Sequence, residues 1–391
     1  MDFSEENSLQ YALYLQYKDE KPCWHFIEIA LILSSIAFFG MVFNSTLIYV
    51  TIKAKNLHGT ANYLLALNAM FELMHQYVYF TFLYLSLTGQ NFIDYKLAVK
   101  IGIFSIVGYN GVFPSMLCTG IDRLICVTLP IFHKKVNKLA YLSGMLVACA
   151  AFSVYSVIII IIAAEAMPNL KITGFKFDLY QSDRTRKALN FLLIISTIFV
   201  YVVTGIMIRK RKTTNTTISD KINRKIFFSL CLIVSVNIGG YFLMYIYGLF
   251  IMPSLVKQNS LILAWFGVVL FAIPLNISSI SIAPILFVTS SEYRMAFQSE
   301  WKRLRTLRGL RSSNGIFVNS GWSEFRVPIS EILSKKALHS VSMTIQQWDN
   351  SAVAQFSNGF FRHYIVFLHD NSAVGQFGIG TIRQWHNSAL G

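Results

Sequence analysis

Seven separated runs of apolar residues, each long enough to cross a lipid bilayer, constrain this chain more than any other feature. A spanning helix needs about 20 mostly apolar residues. The runs are Phe26–Thr51, Asn62–Leu87, Leu97–Val127, Ala140–Ala166, Ala188–Ile208, Ile226–Ile251 and Leu261–Val288. Inside hydrocarbon each backbone polar group must find its partner within the segment, so such runs are expected to be helices. Charge, Asn, Gly or Pro marks the six breaks between them. The second run is the most polar and carries Asn68, Glu72, His75 and Gln76. Of the 391 residues 54% are hydrophobic and only 14% charged, whereas a soluble domain carries about a quarter charged. The fold class expected is an all-α membrane protein, a seven-transmembrane helix bundle.

The formal net charge of +15 follows from where the bases fall. The first connection holds Lys53 and Lys55. The third has Arg123, Lys134, Lys135 and Lys138. Lys and Arg fill the fifth, from Arg209 to Lys212 and again at Lys221, Arg224 and Lys225. The alternate side carries Lys96 and Lys100, then five bases diluted by Glu165, Asp178 and Asp183, then Lys257. Short basic loops stay cytoplasmic, so the N-terminus is expected outside and the C-terminus inside. The polar first 25 residues do not read as a cleavable signal, which leaves the first apolar run to direct insertion. The organisation expected is an extracellular segment over 1–25, a transmembrane domain over 26–300 and a cytoplasmic tail over 301–391. No nucleic-acid partner is expected, because the bases beside the seventh run have a membrane explanation.

After the seventh run, Ser290 to Phe297 places Tyr293, Ala296 and Phe297 on one helical face. A short amphipathic helix on the inner leaflet is expected there, with Arg294, Lys302, Arg303 and Arg305 toward anionic headgroups. From Arg311 the chain repeats itself: Asp349-Asn350-Ser351-Ala352-Val353-Ala354-Gln355-Phe356 returns as Asp370-Asn371-Ser372-Ala373-Val374-Gly375-Gln376-Phe377. Near-identical words without an apolar period read as a disordered tail or as translated repetitive DNA.

Polar groups inside a bilayer are costly and each asks for a reason. Asn44, Asn68, Asn110, Asn237 and Asn276 suit helix-to-helix hydrogen bonding. Glu72 at mid-depth must be protonated, paired or hydrated, and a cation or proton site is one reading of it. At the inner end of the third run stands Thr119-Gly120-Ile121-Asp122-Arg123-Leu124-Ile125, with Pro130 in the loop beyond. Asp122 can hold Arg123 as a local ion pair, and releasing the guanidinium exposes a rigid group with several donors.

This stretch resembles the Asp-Arg-Tyr segment of rhodopsin-like G-protein-coupled receptors, with Leu124 in place of the tyrosine. Gly40-Met41-Val42-Phe43-Asn44 resembles the Gly-Asn of the family's first helix, and Asn62 to Glu72 its second, with Glu72 where aspartate is usual. Tyr201 falls near the fifth-helix tyrosine. Ala283-Pro284-Ile285-Leu286-Phe287 resembles Asn-Pro-x-x-Tyr with both polar residues lost. The texture of Leu57 to Leu64 and of Thr119 to Ile125 is similar to nematode serpentine chemoreceptors of class SX. The resemblance covers about residues 25–300.

That resemblance implies a chemosensory receptor that binds an external ligand and activates a heterotrimeric G protein through Asp122, Arg123 and Pro130. Asn44, Glu72, Tyr201 and Pro284 would serve packing and switching. A plasma-membrane location follows, the ciliary membrane of sensory neurons among the options. It implies no catalysis, cofactor or metal. The family's disulfide cysteine is missing at Ala98, and Cys23 is the only cysteine expected outside. Asn237-Ile238-Gly239-Gly240 stands in for the usual sixth-helix proline as a source of flexibility. A ligand pocket is expected among Ser105, Tyr109, Tyr241, Tyr245, Trp265 and Asn276. Ser105 stands where amine receptors carry aspartate, which argues against a biogenic amine. The alternatives are a peptide ligand on the same fold, or a transporter or channel. No half-to-half repeat supports the latter.

Overall fold

A computed structural model of the chain describes residues 9–174, 184–211 and 218–311. The repetitive tail, and with it the expectation for 316–391, lies outside them. Eight helices among the described residues reach 20 residues or more, and the seven that follow the apolar runs are α2 (Trp24–Lys53), α3 (Thr60–Leu87), α5 (Ile103–Thr128), α7 (Lys138–Ala166), α8 (Arg184–Arg211), α9 (Ile218–Ile246) and α11 (Leu261–Ile280). The shortest, at 20 residues, reaches about 30 Å at 1.5 Å per residue, the thickness of a hydrocarbon core. Spans over six of these, all but α3, are also apolar enough to cross. The exception is α3, whose polar residues face inward: Asn68, Glu72, His75 and Gln76 are all buried. Large apolar side chains such as Phe38, Val147 and Phe199 are exposed on the outer surface of the bundle, as lipid-facing positions require.

Around α5 pack α3, α7 and α8, while α11 packs on α9 and α2. Where α3 meets α5 the contact is backbone to backbone. A Cβ on Gly108 would stand 2.5 Å from the carbonyl oxygen of Phe71 and closer still to the amide nitrogen of His75. Small residues permit this approach.

Several boundaries differ from the sequence expectation. The third run, expected to be one helix, divides at Gly102 into α4 (Tyr95–Ile101) and α5. The sixth begins earlier, at Ile218. A π-helical turn over Tyr247–Ile251 then carries it into α10 (Met252–Lys257), whose start accommodates Pro253. Gly239 and Gly240 do not interrupt α9. Gly240 instead lets α9 approach Ser278 and the carbonyl of Pro274 on α11. The seventh run breaks at Ser281, between α11 and α12 (Ile282–Thr289). There Ser278, Ser279 and Ser281 donate their hydroxyls to the carbonyls of Leu275, Asn276 and Ser278 at 2.7, 3.1 and 2.6 Å. Such back-bonding competes with the helix's own ladder and bends it. Pro130, expected in a loop, is the first residue of α6 (Pro130–Lys135).

The expected amphipathic helix is α13 (Ser291–Arg311), longer than the octet that announced it. Its apolar face turns to the bundle. Tyr293 is buried and its hydroxyl lies 3.2 Å from Thr51 Oγ1, and burial pushes its pKa up to about 12. Arg294, assigned to headgroups, donates Nε to the carbonyl of Phe287 at 3.0 Å and Nη2 to that of Val288 at 2.5 Å. It thereby satisfies carbonyls left open at the end of α12.

Two features at the other end were not expected. A helix, α1 (Leu9–Tyr17), packs on α11, burying Leu13 and Tyr17. A two-stranded ribbon pairs β1 (Ile93–Asp94) with β2 (Lys171–Ile172), Ile93 opposite Ile172. The amide of Tyr95 donates to the carbonyl of Leu170 at 2.9 Å, and Gln10 Oε1 accepts from the amide of Thr173 at 3.3 Å. All five cysteines are free, so this ribbon makes the link between the third and fourth-to-fifth segments without a disulfide.

Candidate functional site

A cavity of about 70 Å³ opens between α3, α5, α7, α8, α9 and α11. At about one water per 10–15 Å³ on this measure, it has room for a small molecule. Its polar wall is made by His75, Tyr79, Ser105, Tyr109, Asn110 and Arg186. Val78, Ile106, Ile160, Met244, Val268, Ala272 and Leu275 form the apolar wall. The close α3–α5 approach at Gly108 positions this wall. One turn away, Ser105 Oγ donates to the carbonyl of His75 at 2.6 Å. The Tyr109 ring sits 5.1 Å from the His75 ring and 5.9 Å from that of Tyr241.

One turn along α3 from His75 is Glu72, fully buried. Tyr241 Oη donates to its Oε2 at 2.9 Å and His75 Nδ1 lies 3.8 Å from the same oxygen. Glu72 Oε1 accepts no hydrogen bond among the described residues. Tyr241 thus joins the carboxyl beneath the cavity to α9. Tyr245 meets Phe113 edge-on at 5.7 Å. Trp265 packs away from the cavity, against Phe26 and Phe266 at 5.4 and 5.2 Å. Asn276 Nδ2 donates within its own helix, to Ala272 at 2.8 Å. Of the six residues expected around a ligand, the structure therefore brings Ser105 and Tyr109 to the cavity wall. Tyr241 sits just below, and Tyr245, Trp265 and Asn276 are not among the lining residues.

Sequence reasoning did not find Arg186. It counted there as a base in the loop before the fifth run. Because α8 starts at Arg184, the side chain is carried inside, where it is 1% exposed. Its Nη1 donates to Asn110 Oδ1 at 3.4 Å, and Asn190 Nδ2 donates to the same oxygen at 3.4 Å. The spacing Arg186–Asn190, one turn on one face, was the available signal.

At the opposite end of α5, Asp122 is fully buried and Arg123 turns back to it. Arg123 Nε donates to Asp122 Oδ2 at 2.9 Å, and Nη2 donates to the same atom. A second donor, also missed in the sequence, comes from α6: His133 Nε2 reaches Asp122 Oδ1 at 3.0 Å. Thr60 Oγ1 of α3 lies 3.4 Å from that nitrogen. Pro130 sets this up by starting a helix whose first turn brings His133 back onto α5. The Tyr201 ring packs over Gly120, and its hydroxyl has no hydrogen bond among the described residues. Between the two ends, Asn44 Nδ2 donates to the carbonyl of Ser279 at 3.4 Å and Gln76 Nε2 to its hydroxyl at 2.9 Å. Ser115 Oγ donates to Asn68 Oδ1 at 2.7 Å. Pro284 lies in α12, beyond the Ser281 break.

The family model of serpentine-type seven-transmembrane G-protein-coupled chemoreceptors, Srsx, matches residues 37–301. The chain belongs to this family. The match runs from within α2 into α13, so this Srsx chemoreceptor holds both the cavity and the Asp122–Arg123 pair inside the family's own segment. Helix α1 lies ahead of the matched residues. None of the curated proteins compared with the receptor matches it. It is a multi-helix membrane receptor, and its family is not an enzymatic one.

Proposed function

We propose that this receptor takes up a small external molecule in the cavity and transmits its presence to a heterotrimeric G protein at the Asp122–Arg123 end. The carrying observation is that one helix, α5, holds Tyr109 at the cavity and Arg123 at the ion pair. They are 14 residues apart, which is about 21 Å along the helix axis. The basic connections cluster around the Arg123 end, which supports a cytoplasmic position for that end and an outside position for the N-terminus. In the resting receptor Asp122, gripped by Arg123 and His133, keeps the guanidinium occupied. A ligand against Met244 and the α11 wall bears on α9, and Tyr241 relays that to Glu72. Moving α9 favours a packing in which Arg123 is released toward the G protein. The ligand acts by its difference in affinity for the two packings.

The cavity lies among helices beneath α1 and the β1–β2 ribbon, and its size supports a small molecule over a peptide. Signalling in cells that co-express a promiscuous G protein tests the reading. Arg123→Ala is expected to abolish the ligand response at unchanged surface level. His133→Gln, which weakens the hold on Asp122, is expected to raise basal signalling. Full signalling by Arg123→Ala contradicts the proposal.

A further inference from the structure

Where α3 meets α5, two side chains of the cavity wall keep hydrogen-bonding capacity, and in both it is the capacity to accept. Their polar neighbours on the wall are engaged. Asn110 Oδ1 accepts from Arg186 and Asn190, and its Nδ2 donates to the carbonyl of Ile106 at 2.9 Å. Arg186, Tyr79 and Tyr109 carry further interactions of their own. Ser105 Oγ spends its one hydrogen on the carbonyl of His75 at 2.6 Å, which leaves lone pairs on the oxygen. The His75 ring is held by those of Tyr79 and Tyr109, at centroid distances of 5.7 and 5.1 Å. Its Nδ1 is buried, has no hydrogen bond among the described residues and lies 3.8 Å from Glu72 Oε2. Tyr241 Oη donates to that same oxygen, so Oε2 acts as an acceptor whether or not Oε1 holds a proton. An acceptor facing Nδ1 draws the ring's proton to that nitrogen. In the neutral ring Nε2 is then an acceptor, and it is the polar atom His75 keeps for the cavity it lines.

We infer that the cavity is a binding site for small aliphatic alcohols: the ligand hydroxyl donates to His75 Nε2 beside Ser105 Oγ, and its alkyl body lies against Val78, Met244, Val268 and Leu275. A ketone of the same skeleton turns a third acceptor toward these two and leaves Nε2 unpaired, which is costly in a buried site. A carboxylate at Nε2 likewise sets acceptor against acceptor. An ammonium can donate, but Arg186 places a cation on the same wall. A hydrogen bond accepted at Nε2 also strengthens Nδ1–H as a donor toward Glu72, so the contact that selects the ligand reaches the carboxyl that Tyr241 ties to α9. This rests on the small-molecule reading above and names the ligand class of the same site.

The test uses the full-length receptor in two formats. Thermal stabilisation of the detergent-purified protein reads binding without any G protein, and calcium release in cells reads signalling. The probes are hexan-2-ol, hexan-2-one, hexan-2-amine and hexanoate, which differ at the head and keep a similar alkyl body. Hexan-2-ol is expected to act at concentrations about fivefold or more below hexan-2-one, the span of one buried acceptor left unpaired. His75→Phe keeps a ring and removes Nε2, and is expected to bring alcohol and ketone within about twofold of each other. Ser105→Ala removes an acceptor from the ketone's surroundings, and is expected to narrow the gap by improving the ketone. The inference is overturned if the ketone, the amine or hexanoate equals or betters the alcohol, or if no probe stabilises the protein. It is overturned equally if folded His75→Phe keeps the alcohol's advantage. The wild-type comparison needs no variant and decides the case in which His75→Phe does not fold. A ketone preference removes the alcohol assignment and leaves the small-molecule reading standing. Alcohol-dependent stabilisation without signalling would contradict the G-protein reading and leave the alcohol site standing.

Discussion

Replacing Gly108 with alanine tests the helix contact on which the cavity depends. The added methyl would stand 2.5 Å from the Phe71 carbonyl oxygen and 2.8 Å from Met74 Cβ, and it would also press on the His75 amide. Ordinary carbon-to-oxygen contacts are about 3.3–3.6 Å, so α3 and α5 must part by about 0.8–1 Å. Backbone lies on both sides, and no rotamer change relieves the clash. A gap of this width forfeits about a quarter to a half of the dispersion energy across the contact. It also stretches the 2.6 Å bond from Ser105 to His75. Overpacking costs about 1–3 kcal/mol, and alanine returns up to about 1 kcal/mol of helix propensity. The expected net loss is about 0–2 kcal/mol. Two other glycines calibrate it. At Gly111 the nearest atoms to a Cβ all belong to the Phe71 side chain rather than to backbone, and at Gly144 it meets nothing within 4 Å. Thermal unfolding of the three purified variants by intrinsic fluorescence should rank Gly144→Ala at or above wild type, Gly111→Ala below it and Gly108→Ala lowest. A Gly108→Ala protein that melts at or above Gly144→Ala would refute the close-approach reasoning.

Tyr241→Phe removes the donor to Glu72 and should destabilise the receptor by about 0.6 kcal/mol and at most about 1.7 kcal/mol, the mean and the upper value for interhelical hydrogen bonds in membranes. In a Glu72→Leu background the loss should shrink, and a double-mutant cycle on melting temperature reads the coupling. Cys23, fully buried just ahead of α2, has its thiol pushed up to about 11, chiefly by burial. Its thiolate is scarce at pH 7.5, so iodoacetamide should modify it far more slowly than an ordinary exposed thiol. The rate should climb with pH toward that value, as mass spectrometry of the labelled chain reads directly.

Apolar run length made the seven spans legible because it is a local property of sequence. Glu72 was legible because an acid inside an apolar run is rare. The Asp122–Arg123 pair was visible because its partners are adjacent. What escaped the sequence depends on residues far apart. The β1–β2 ribbon joins two-residue strands separated by about seventy-five positions, too short for any alternating pattern. His133 reaches Asp122 only because Pro130 restarts a helix. Arg186 reads as a soluble loop base until α8 is extended by one turn, after which packing against α5 carries it inside. Trp265 looked like a pocket aromatic, yet its ring completes a cluster with Phe26 beneath α1, a helix whose weak apolar face gave no sequence signal.

The most direct measurement for a receptor that carries a signal inward is the sidedness of its two ends. An epitope ahead of α1 and another in the Pro130–Lys135 connection can be probed by antibody on intact and on permeabilised cells. Staining of the first on intact cells, with the second reached only after permeabilisation, is the predicted result. Detection of both epitopes on intact cells, or of both only after permeabilisation, would contradict an arrangement in which Arg123 meets the cytoplasm while the cavity faces outside.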